Sequence, residues 1–122
     1  MAAGVYNIQI EQGSTWELRM EIDSQVGVDK NMTGYTVASK IGKSYYDTSP
    51  ISMNFQYIVQ NEGKFKIWLT AAQTAALDPA HEYVYDVEIT SPINHTINPP
   101  EDYDTRWRIL EGIATVSPEA TK

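Results

Sequence analysis

Cysteine is absent from the 122-residue chain. That excludes disulfide cross-links, thiolate nucleophiles and zinc sites built on Cys, and it leaves the chain indifferent to redox compartment. Histidine is nearly absent: His81 and His95 form neither an H-E-x-x-H motif nor a pair at helical spacing, so a catalytic zinc lacks its usual ligands. Positive charge is scarce, with nine Lys and Arg against sixteen Asp and Glu, a net charge of −7 and no basic cluster. Nucleic acid, bound by neutralising its phosphates, is not an expected partner. Long apolar runs are missing, so no transmembrane helix is expected. The start, MAAGVYNIQIEQ, lacks the basic and apolar regions of a signal peptide. Secretion by the usual route is not expected, and neither is a membrane partner. There is no G-x-S-x-G, and the glycines at 27, 34, 42, 63 and 112 stand singly, which leaves neither a nucleophile elbow nor a phosphate cradle.

What is present is alternation, clearest from Lys64 to Thr90. Phe65, Ile67 and Leu69 point one way and Lys64, Lys66 and Trp68 the other. Further on, Tyr83, Tyr85, Val87 and Ile89 form an inward set against Val84, Asp86, Glu88 and Thr90. Between these strands Thr70 and Gln73 have the spacing of a capping box, and Asp78-Pro79 stops an Ala-rich run. The pattern predicts one short helix over about residues 71–77, roughly two turns.

The same period marks the other strands. Val5 to Glu11 reads as a single strand with Tyr6, Ile8 and Ile10 inward, and Gln12-Gly13-Ser14 as a turn or bulge. Trp16, Leu18, Met20 and Ile22 alternate with Glu17, Arg19, Glu21 and Asp23. Tyr35 to Lys43 is a strand with Tyr35, Val37, Ser39 and Ile41 on one face; Met53, Phe55, Tyr57 and Val59 mark the next. Gln60 to Gly63 is a hairpin loop in which Gly63 takes a positive φ. Thr105 to Val116 is a long strand broken by Gly112. Irregular segments at 24–34, 44–50 and 91–104 separate them. About seven or eight antiparallel strands with one short helix predict a single all-β domain over residues 1–122, an immunoglobulin-like β-sandwich.

Candidate chemistry is sparse. Glu101, Asp102 and Asp104 in the last long loop, and Asp86 with Glu88 on one strand face, are the carboxylates that could flank a cleft; solvated loop and strand charge is the simpler reading. Glu101 to Asp104 matches no EF-hand pattern. No residue qualifies as catalytic, so the chain is not expected to be an enzyme, and no metal or cofactor is expected. Aromatics are the more informative set. Trp68 falls on an outward strand face, and Tyr45, Tyr46, Tyr103 and Trp107 lie in or beside loops. These five are the candidate interface residues. Trp68 in particular suits an assembly interface, a second covered sheet face or a platform for a sugar.

Three pieces carry a family resemblance. They are Ile10-Glu11-Gln12-Gly13-Ser14-Thr15; then Met32-Thr33-Gly34-Tyr35-Thr36-Val37-Ala38; then Leu69-Thr70 with Thr74 and Leu77, Tyr85-Asp86-Val87-Glu88, Arg108-Ile109-Leu110-Glu111-Gly112 and Val116 to Thr121. In this order the chain resembles small virion proteins of tailed bacteriophages and the N-terminal sandwich of the phage baseplate upper protein family. Met32 stands where Leu is usual and Ala120 where Val is usual, and the loops at 44–52 and 91–105 are longer than the pattern requires. The resemblance implies a structural virion protein of the tail, baseplate or neck, an adaptor repeating symmetrically through contacts with its own copies and with other virion proteins. Two alternatives stand beside it: a capsid decoration (cement) protein, and a carbohydrate-binding module that contacts host-surface glycans through Trp68, Tyr45, Tyr46 or Tyr103.

Overall fold

The structure is a computed structural model and describes residues 4–22, 32–91 and 106–120. Its strands are β1 (Gly4–Val5), β2 (Ile8–Glu11), β3 (Trp16–Glu21), β4 (Thr36–Gly42), β5 (Ile51–Ser52), β6 (Asn54–Val59), β7 (Lys64–Leu69), β8 (Glu82–Thr90) and β9 (Arg106–Ser117), with one helix, α1 (Ala71–Ala75). They form two layers. One sheet has the order β1-β9-β8-β4-β5, with β2 also paired to β9; the other is β3-β7-β6. Reading β3 to β9 as strands B to G, with β5 as the extra strand beside C, gives the two-sheet partition of an immunoglobulin-like sandwich. Tyr83 supplies a second mark of that fold: at the start of β8 its hydroxyl accepts a hydrogen bond from the Asp78 amide at 2.8 Å, a tyrosine corner.

The alternating faces meet as the sequence implies. Phe65, Ile67 and Leu69 of β7 are fully buried against Tyr83, Tyr85, Val87 and Ile89 of β8, with Ile10, Ile41, Met53, Ala114 and Val116 completing the core. Gly63 closes the β6–β7 hairpin at φ 68°, after a 3-10 turn over Gln60–Glu62. The helix is shorter than the expected 71–77. Thr70 and Gln73 make both arms of the capping box, but Ala76 is the C-cap and the Ala76 and Leu77 amides turn back to carbonyls three residues earlier, tightening the last turn ahead of Pro79.

Three other expectations change. The N-terminal strand is two strands, both parallel to β9 rather than antiparallel. Between them the Tyr6 carbonyl leaves the ladder to accept the buried Tyr85 hydroxyl, and the Asn7 side chain takes the Ile113 amide at 3.0 Å. Tyr6 itself is 52% exposed, not inward. Gly112 does not break β9, which runs unbroken through it; its role is to let the Tyr6 carbonyl approach, because a Cβ there would collide with that group. The segment expected as loop 44–52 ends in strand β5.

Several residues of the motifs quoted above converge on one joint. Gln12 donates to the Leu77 carbonyl at 3.0 Å and to the Ala75 carbonyl at 3.3 Å, and accepts the Glu119 amide at 3.1 Å. Buried Thr74 donates to the Ser14 carbonyl at 2.8 Å. The β2–β3 turn, the helix and the C-terminal segment are thereby locked together at one end of the sandwich. Each hydrogen bond of this kind contributes about 1 kcal/mol net.

Candidate interaction face

Of the five aromatic candidates, the structure keeps three at the surface. Tyr45 is 55% and Tyr46 92% exposed in the β4–β5 connection. Trp68 projects from the outer face of the three-stranded sheet, half-buried; the Lys66 ammonium lies 5.0 Å from its ring centroid and is itself paired to Glu17 at 3.2 Å, so the ring is not a bare platform. The Arg19 and Lys66 groups hold the Glu17 carboxyl below its usual range. Trp107, near the start of β9, sits opposite Ile89 on the inner side of that strand and stacks on Tyr35 with ring centroids 6.5 Å apart. Tyr103 and the acidic stretch 101–104 lie outside the described residues.

Among the described residues a groove lies on the outer face of the larger sheet. Its floor is built by register: Ala38 lies opposite Glu88, Lys40 opposite Asp86 and Gly42 opposite Val84 across β4 and β8. Its wall is the connection from Lys43 to Pro50. Asp47 shapes that wall, accepting the Lys43 amide at 3.0 Å and the Ser49 amide at 2.9 Å, so both carboxylate oxygens are used inside the loop. These amides hold the Asp47 carboxyl below its usual range. The groove has a volume of about 360 Å³.

Charge is interleaved along this face. Arg108 reaches Asp86 at 3.4 Å and Glu111 at 3.5 Å. Burial raises the Asp86 carboxyl above its usual range, and the neighbouring Glu88 and Glu111 add to the rise against the pull of Arg108 and Lys40. Burial, then Glu111 and Asp86, likewise push the Tyr45 phenol up. The pairing of Asp86 with Glu88 on one outward face was readable from alternation; the addition of Lys40 from β4 and of Tyr45 was not, because both arrive by strand pairing and loop folding. No group of three or more His, Asp or Glu among the described residues is arranged to hold a metal.

No family model matches the chain, and no curated protein matches it. Among solved structures it is similar to Listeria monocytogenes InlP, at 16% identity and TM-score 0.48, over 94% of this chain and 27% of that one. It spans little more than a quarter of InlP. It is also similar to a VGSC beta subunit described for multimeric cell-adhesive interactions (11% identity, TM-score 0.43, 96% of both chains). A third is the extracellular domain of the voltage-gated sodium channel beta4 subunit, described as a parallel homodimer (12% identity, TM-score 0.38, 98% of this chain and 96% of that one). Strand order, register and the tyrosine corner of this chain define its class: an all-β, immunoglobulin-like sandwich with a polar groove on one sheet and, among the described residues, the edge strand β6 on the other.

Proposed function

We propose that this chain is a non-enzymatic structural protein of a tailed-phage particle, in the tail, baseplate or neck, where it joins copies of itself and other particle proteins in a symmetric assembly. Strand β6 carries the reading. It is six residues long, Asn-Phe-Gln-Tyr-Ile-Val, with neither a charge nor a proline, and it lies at the edge of its sheet with β7 as its partner on one side. Ile58 on it is 43% exposed. Edge strands that stay solitary are usually guarded by charge, proline, a bulge or covering structure, and β6 carries a bulge at Ile58 but no charge. The opposite edge, β3, follows that rule with Glu17, Arg19 and Glu21. In a chain of net charge −7, an uncharged edge is where a second chain adds with least repulsion.

The sequence resemblance supplies the kind of assembly. Gln12, Thr74, Leu77 and Glu119 from its motifs are engaged in the internal joint, which suits a rigid frame whose edges and loops meet partners. The test has two parts. Light scattering after size exclusion should find a defined oligomer, and mass spectrometry with antibody labelling should find the chain on the tail of particles from a phage that encodes it. Absence from particles overturns the proposal, and labelling on the head transfers the protein to capsid decoration.

A further inference from the structure

We infer that the groove between β4, β8 and the 43–50 connection is a binding site for a neutral sugar, independent of the assembly role. The floor carries Lys40 beside Asp86 and Glu88, and Tyr45 stands at the wall. Lys40, Glu88 and the Tyr45 hydroxyl make no hydrogen bond or close ion pair among the described residues, whereas Asp47 is fully used by the loop. The groove therefore offers donors and acceptors side by side.

Charge selects the ligand class. An anion entering would meet Asp86 and Glu88, and a cation would meet Lys40 and Arg106. A neutral polyol avoids both conflicts: vicinal hydroxyls donate to Glu88 and accept from Lys40 in one pose. The Tyr45 ring, 55% exposed, supplies the apolar flank on which a pyranose C–H face rests. A peptide strand has little to hold here, because β8 is paired on both sides by β4 and β9 and its main-chain groups are already used. The volume of about 360 Å³ stands at the small end of the ligand-site range of roughly 300–1,000 Å³, enough for a mono- or disaccharide.

The test is a ¹⁵N NMR titration of the full chain with the methyl glycosides of glucose, galactose, mannose and N-acetylglucosamine, each to tens of millimolar. At least one should give saturable shifts centred on Lys40, Tyr45, Asp86 and Glu88. Tyr45→Ala and Glu88→Gln should each weaken that binding about tenfold, while Tyr46→Ala, whose ring lies outside the groove, should leave it unchanged. Because Tyr45 is on an exposed loop, its variant carries the test if Glu88→Gln fails to fold. No saturable shift with any of the four glycosides overturns the inference, as do shifts centred elsewhere or equal losses in the Tyr45 and Tyr46 variants. Neither result bears on the oligomeric state or on presence in particles.

Discussion

Two residues far apart in the chain decide how its first strand is seated. Tyr85 is 1% exposed, and its hydroxyl finds its acceptor in the Tyr6 carbonyl, which reaches it only because residue 112 has no side chain. Gly112→Ala forces a methyl group against the Tyr6 carbonyl, so we expect a loss of about 1–3 kcal/mol in denaturant unfolding, with hydrogen-exchange protection falling first at Ile8 to Glu11. Burial also pushes the Tyr85 phenol up to about 12 from an ordinary value near 10. A group whose pKa is raised on folding contributes stability that is complete below its unfolded pKa and is lost as pH rises through the folded one. Stability should therefore hold to about pH 10 and decline toward about pH 12. Tyr85→Phe, though less stable overall, should show a flatter alkaline decline when thermal midpoints are measured across that range.

Among the elements, α1 is the most dependent on local chemistry. Five residues are too few for a helix to persist without fixed ends, and Thr70 supplies one by accepting the Gln73 amide at 3.1 Å. Thr70→Ala should cost about 1 kcal/mol, read as a lower urea midpoint with an unchanged m-value. Strands β3, β4, β6, β7 and β8 were legible because each buries one face, so side-chain period and strand period coincide. The capping box was legible for the same local reason. Two features were not. The interruption at Tyr6 and Asn7 depends on groups about a hundred residues away. The inward side of Trp107 was not legible because β9 is bulged opposite the Val87–Glu88 step: counting back in twos from Ala114 and Gly112 puts Arg108 inside, and the extra residue at Ile109 reverses this. Of the candidate site, Asp86 and Glu88 were readable as neighbours on one face; their meeting with Lys40 and Tyr45 is a product of pairing register and loop closure, which no local pattern encodes.

For the whole molecule, the two sheets present different surfaces. The larger offers a charged groove with its central ladder complete, and the smaller offers the uncharged edge β6. Ile58→Lys places a charge on that edge without touching the core, since Ile58 is already 43% exposed. It should shift the assembled form to monomer in light scattering while the unfolding free energy of the monomer stays within about 0.5 kcal/mol of the parent. The parallel pairing of β1 and β2 with β9 has a mechanical consequence as well. Tension applied at Gly4 and Ala120 pulls the start of one strand against the end of its parallel neighbour, so the bonds between them are loaded in shear and must fail together. Tension applied at Thr36 and Thr90, which face each other at one end of antiparallel β4 and β8, peels that ladder open bond by bond. Single-molecule pulling should accordingly require the larger force between Gly4 and Ala120 than between Thr36 and Thr90.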